Sequence, residues 1–221
     1  MTQSKLEVSR QNGAHQVRAQ RESILDAAET LFLRHGIAET TMVHVAAEAG
    51  ITKVTLYRYF PNRDVIAMHV WERMLQRIMA SFGPLAWPLT VAKIQAMASV
   101  MIRNFDTLRD AYRFIGIFDS FYLDTAGNAE MTRWLAEESI LVKLSGAIAA
   151  PGTAIGLLEQ RYLVVLNSVI WFLERVALRG GVTMADRATS LKTQLAIFEE
   201  MVVGYLDRLP GSDEIARSER P

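Results

Sequence analysis

Residues 51–64 read ITKVTLYRYFPNRD: two threonines, two tyrosines and three cations, with no acid before the final aspartate. If Leu56 and Tyr59 turn inward on a short helix, Lys53, Val54, Tyr57 and Arg58 share its outward side. Such a side suits the major groove of a nucleic acid duplex. Cations and hydroxyls meet phosphate oxygens, a valine touches a thymine methyl, and a lysine reaches the acceptors of guanine. Arg63 adds to this, because it falls just after Pro61-Asn62, in the first turn of the next helix. The macrodipole disfavours a cation there, whereas a phosphate would meet both the guanidinium and free backbone N–H groups. Asp64 offsets part of that argument. The competing reading is an ordinary solvated face with Tyr57 in the core, although a solvated face usually mixes its charges.

The elements around this stretch are set by Gly50. Val45, Ala46 and Ala49 precede it, and Ile51, Leu56 and Tyr59 follow it, the apolar spacing of two helices joined by a tight turn. Glycine supplies a positive φ for the turn, and Ala46 is small where the second helix crosses. Thr41 and Thr52 are the expected N-caps of the two helices. Before them, Ile24, Leu25, Ala28, Leu31 and Phe32 recur at helical spacing, predicting a first amphipathic helix over about 17–35 that ends at Gly36.

The rest of the chain reads as helix throughout, with helices expected at about 63–81, 90–107, 109–124, 128–149, 155–179 and 185–209. No sustained alternation and no Asn-Gly or Asp-Gly hairpin signals a strand. All four histidines lie in the first 69 residues, and from 90 onward the helices grow longer and richer in large apolar residues. The expected organisation is a flexible basic arm (1–17), a small helical unit (18–82), a larger all-helical body (83–210) and a flexible tail (211–221). Half of the 221 residues are apolar and 22% are charged, the balance of a folded protein. Lysine plus arginine equals aspartate plus glutamate at 24 each, so any attraction to a polyanion must be local. The absence of cysteine excludes disulfides, thiolate metal sites and cysteine nucleophiles. The longest apolar run, YLVVLNSVIWFL at 162–173, is 12 residues where a membrane span needs about 20. The N-terminus lacks the apolar core of a secretory signal, so a soluble cytoplasmic protein without membrane contact is expected.

Residues 40–66, TTMVHVAAEAGITKVTLYRYFPNRDVI, resemble the DNA-binding signature of TetR/AcrR-family transcriptional regulators, and RESILDAAETLFLRHGIAETT before them resembles that family's first helix. The likeness covers about residues 18–75. It implies an all-α fold: a three-helix helix-turn-helix DNA-binding domain, then a larger helical domain for ligand binding and dimerisation. It further implies a homodimer on a palindromic double-stranded operator, most often a repressor released by a small, mostly apolar effector. By position, Val43, Lys53, Val54 and Tyr57 are the expected base-edge residues. Thr41, His44, Thr55, Arg58, Tyr59 and Arg63 are the expected phosphate contacts. Valine at 54, where the family often has glycine or another small residue, and arginine at 63, where it more often has lysine, leave the operator sequence open.

In the body, Leu158, Tyr162, Val165, Val169 and Phe172, with Leu195, Phe198, Val202 and Tyr205, form two apolar stripes at three- and four-residue spacing. They are the expected dimer contacts, on the two helices the family uses. The alternative is that they face their own protomer's core. Residues 105–124 are dense in aromatics. Phe114, Phe118, Phe121, Tyr122 and Trp134, with Arg113 and Asp119 as polar anchors, are expected to line an effector pocket unless they are plain core. The sequence has no metal-ligand spacing, nucleophile elbow or nucleotide loop, so neither an enzyme nor a cofactor is expected. A helical module that binds a protein partner and not DNA is the alternative function.

Overall fold

A computed structural model describes the backbone of residues 2–83, 90–122, 131, 133–134, 157–179 and 190–209, with side chains from Gly13 onward and, in the helix that starts at Leu157, from Gln160. The described residues are helical or turn, with no strand. None of their helices is long and apolar enough to cross a membrane. The expected 128–149 helix lies almost entirely outside the described residues. The chain divides into two compact units, Met1–Arg73 and Met74–Pro221.

The first unit contains α1 (Thr2–Glu39), α2 (Met42–Glu48), α3 (Lys53–Tyr59) and the start of α4 (Arg63–Ala80). The stretch expected to be a flexible arm is helical from Thr2, for it contains no proline and Gly13 does not break it. Residues 13–19 nevertheless expose their side chains. The predicted stripe of α1 is closed: Ile24, Leu25, Ala28, Leu31 and Phe32 are buried. Gly36 leaves the helical region at φ 81° and ψ 168°, so the regular helix breaks there as expected and a short helical segment continues to Glu39. Val45, Ala46, Leu56, Phe60, Ile66 and Val70 complete the core. Phe60 receives the Arg21 guanidinium on its face at 4.9 Å and the edge of His69 at 5.8 Å. Arg73 reaches three acids of α1, Glu22, Asp26 and Glu29, and so staples α4 to it. Burial of His69, aided by the Arg21 charge, holds its imidazole below the usual range.

The second unit is built from α5 (Val91–Arg103), α6 (Phe105–Tyr122), α7 (Leu157–Arg179) and α8 (Leu191–Leu206). The α5–α6 break falls at Asn104, a few residues before the expected one; no proline or glycine marks it. Thr90 and Ser190 cap α5 and α8, each accepting from the backbone N–H three residues on. The α6–α7 pair is tight at Gly116, where an added Cβ would lie 2.6 Å from a Leu178 methyl. Phe114, Phe118 and Tyr122 form a ladder of rings at 6.3 and 4.6 Å, packed with Ile115 and Tyr112 in the core. Phe172 of α7 stacks on Phe198 of α8 at 3.7 Å, and Arg103 joins α5 to Glu199 of α8 at 2.8 Å.

Gly50 has φ 65° and open space where a Cβ would stand, so an alanine there meets backbone strain alone. Gly50→Ala should cost about 1 kcal/mol in urea denaturation and Gly50→Asn less, because asparagine tolerates the left-handed region.

Candidate nucleic-acid interface

Two seven-residue helices are too short to persist alone, so their ends and one buried face must hold them. Thr41 caps α2 by accepting from the His44 N–H at 3.2 Å, while His44 Nδ1 accepts from the Thr41 N–H at 3.3 Å. This reciprocal pair satisfies two orphan donors. It also requires Nδ1 to be the unprotonated nitrogen. Thr52 caps α3 through the Thr55 N–H at 3.1 Å, and the two hydroxyls meet at 2.9 Å. The turn between the helices closes through the Ile51 N–H on the Ala46 carbonyl at 3.0 Å. Leu56 then anchors α3 with no exposed surface, a burial that contributes about 2 kcal/mol.

With Leu56 inward, the opposite side of α3 faces solvent as expected: Lys53, Val54, Tyr57 and Arg58 are all exposed, and Val54 retains 76% of its surface. The Lys53 ammonium lies over the Tyr57 ring at 5.8 Å, holding cation and phenol together. Val43, Thr41 and His44 of α2 are exposed too, while Thr55 and Tyr59 are half-buried. No acid interrupts the exposed side of α3.

Arg63 is placed differently from a free phosphate contact. Its Nη1 donates to the Ala38 carbonyl at 3.1 Å and the Thr40 carbonyl at 3.5 Å, and Nε lies 3.5 Å from Asp64. The Thr40 hydroxyl in turn donates to the Gly36 carbonyl at 2.8 Å. A cation unfavourable at the start of α4 is therefore spent on the Ala38 and Thr40 carbonyls, beside the α1–α2 junction. Asn62, overlooked in the sequence, caps α4 by accepting from the Val65 N–H at 2.8 Å. Its position one residue before the helix was the available signal.

In the body, Phe114, Phe118 and Tyr122 are closed core, whereas Arg113, Asp119, Phe121 and Trp134 are half-buried. Of these residues only Asp119 lines a cleft of about 330 Å³. A second, larger groove of about 720 Å³ runs between α5, α6 and α8, floored by Ile102, Phe105, Leu191 and Leu195. Two ion pairs, Arg103–Glu199 and Arg109–Asp106, stand on its rim. The expected dimer residues divide. Tyr162, Val165, Val169 and Val202 are closed inside their own protomer, Phe172, Leu195 and Phe198 are half-buried, and Tyr205 is exposed. The Leu158 side chain lies outside the described residues. The apolar residues left open are others: Val164, Trp171 and Leu178 on α7, and Ile197 and Met201 beside Tyr205 on α8.

Replacing Arg63 with alanine removes the link between α4 and the end of α1 and should cost about 1–2 kcal/mol in denaturant unfolding. Lysine, a point donor in place of a fork, should restore only part of it.

Residues 24–69 match the family model for bacterial regulatory proteins of the tetR family. An uncharacterized HTH-type transcriptional regulator of Mycobacterium tuberculosis is 39% identical over 57 residues, which are 26% of this chain and 28% of that protein. AcrR of Shigella flexneri is 33% identical over 52 residues, 24% of each chain. The chain thus spans about a quarter of the length of the curated relatives it matches. Among solved structures, a TetR-like transcriptional regulator from Rhodococcus sp. RHA1 superposes with a TM-score of 0.52 at 20% identity, covering 86% of this chain and 97% of that one. The fatty acid degradation regulator FadR from Bacillus halodurans gives a TM-score of 0.51 at 15% identity, covering 84% and 95%. At such identities the likeness bears on fold alone. Hinge, caps and exposed face all fall on the matched residues 24–69, so the N-terminal unit carries a helix-turn-helix DNA-binding domain of the tetR type.

Proposed function

We propose that the protein is a homodimeric repressor that reads a palindromic operator with two copies of α3 and leaves it when a small, mostly apolar effector binds the body. The observation that carries this is the acid-free outward side of α3, with Lys53, Val54, Tyr57 and Arg58 exposed on a helix fixed by caps and by Leu56. Lys53, Val54 and Tyr57, with Val43 of α2, meet base edges. Thr41, Thr55, Arg58 and Tyr59 meet phosphates, and the free Nε2–H of His44 donates to one as well. Arg63 acts through the α1–α2 junction it holds. The protein works in the cytoplasm, where it meets its operator.

The second copy docks on the exposed apolar residues of α7 and α8. Val164, Trp171 and Leu178 recur every seven residues, and Ile197, Met201 and Tyr205 every four, so each set forms one stripe. Trp171 and Met201 keep 64% and 65% of their surface, a cost in a monomer that a second copy would remove. The effector lies in the body, where the groove beside Phe105 and Leu195 offers apolar walls with charged anchors.

Three measurements test this. Operator affinity should fall with salt at a log–log slope of about −4, for about four phosphate charges neutralised by Lys53 and Arg58 of two protomers. Tyr57→Ala should weaken binding by about 1–3 kcal/mol with the fold intact by circular dichroism. A flat salt dependence, or unfolding of the tyrosine variant, would overturn the reading. Val164→Glu combined with Met201→Glu should yield folded monomers in sedimentation and lose about 2 kcal/mol or more of dimer stability. Retention of the dimer would move the interface elsewhere.

A further inference from the structure

Glu174 of α7 is the charged residue least accommodated by the fold. It is 6% exposed, and among the described residues it makes no hydrogen bond and no ion pair. It lines the 330 Å³ cleft between α6 and α7 together with Asp119, Ser120, Gly116, Trp171, Arg175 and Leu178. A carboxylate withdrawn from water costs several kcal/mol unless a cation or hydrogen bonds meet it. A merely structural acid would be paired, and this one opens into a cavity that a second acid also lines. Arg175 does not serve as the counter-ion: its guanidinium lies over the Trp171 ring at 5.6 Å and forms no ion pair with either carboxyl. That placement shows the Trp171 face to be a seat for delocalised positive charge.

We propose that this cleft binds a small organic cation, an amine or quaternary ammonium with an apolar body, whose charge is met by Glu174 and Asp119 and whose body lies against Trp171 and Leu178. The cavity is of ligand size, and its lining combines the two carboxyls with the apolar surfaces of Trp171 and Leu178. Inorganic cations are a poorer match, because two carboxylates beside apolar walls offer too few oxygens to replace a hydration shell. The proposal rests on the effector reading only for its link to DNA release; the binding itself stands on the cleft.

The chemistry adds a proton signature. Burial, then the charge of Asp119, pushes the Glu174 carboxyl up to about 8, and burial pushes Asp119 up to about 6. Tyr112, also facing Glu174 from α6, is pushed up by burial and by that carboxylate, so its phenol stays neutral. Arg175 is the remaining charged group on the cleft. The cleft without ligand therefore holds protons that an incoming cation must expel. Affinity should rise between pH 6 and 8, as both acids ionise, and level off above.

Isothermal titration of the full chain with benzyltrimethylammonium should show binding with proton release at pH 7, read from its dependence on buffer ionisation enthalpy. Neopentylbenzene, the neutral isostere, should bind far more weakly. Glu174→Gln should lose about ten- to a hundredfold in affinity and most of the proton release. Asp119→Asn, as the second variant, should weaken binding less. Trp171 and Leu178 also belong to the apolar stripes, so the titration is repeated on the Val164→Glu, Met201→Glu variant to expose a cleft roofed by a second copy. Binding to neither form, or equal affinity for the neutral isostere or by Glu174→Gln, would overturn the proposal. Release of operator by an apolar effector alongside such a failure would leave the regulator reading standing; tight cation binding without release would uphold the site and separate it from DNA control.

Discussion

A helix of seven residues does not hold itself together, and everything that α3 presents depends on what holds it. The hold is small and specific. Leu56 is closed against the first unit, Thr52 caps one end, and the Ile51 N–H returns to Ala46 across a glycine turn. Because Leu56 fixes which side is in, the exposure of Lys53, Val54, Tyr57 and Arg58 follows as a consequence, not as four separate choices. A valine at 76% exposure is poorly suited to water, and with a phenol beside an ammonium it is well suited to the edges of bases.

The frame behind that helix is electrostatic as much as apolar. Arg63 bridges to carbonyls at the end of α1, Arg73 gathers three acids of the same helix, and Arg21 lies on Phe60. Exposed ion pairs contribute little each, but these three span α1, α4 and the residue between α3 and α4. A cation in the first turn of α4 looked like a waiting phosphate contact from the sequence; its neighbours in space turned it into a brace.

The body shows how far periodicity reaches. Three- and four-residue spacing correctly marked α7 and α8 as amphipathic, yet each helix carries apolar residues on more than one side. Tyr162, Val165 and Val169 took the protomer core, and Val164, Trp171 and Leu178, absent from the stripes read in the sequence, stayed outside. Phe114, Phe118 and Tyr122 are buried and form a ring ladder along α6. Glu174 gave no signal at all, since a lone acid beside an arginine near a helix end reads as solvated.

What the chain alone determined was everything carried by neighbours in sequence: the positive φ at Gly50, the caps at Thr41 and Thr52, the helical period, and the acid-free run from 51 to 63. These depend on short-range sterics and hydrogen bonds, which a local stretch specifies by itself. Only the tertiary structure decided the fate of Arg63, the open stripe on α7 and α8, and the acid pair of Asp119 and Glu174. Period fixes the angle between two side chains on one helix, but the rotation of that helix about its axis is fixed by what packs against it, and those partners lie tens of residues away.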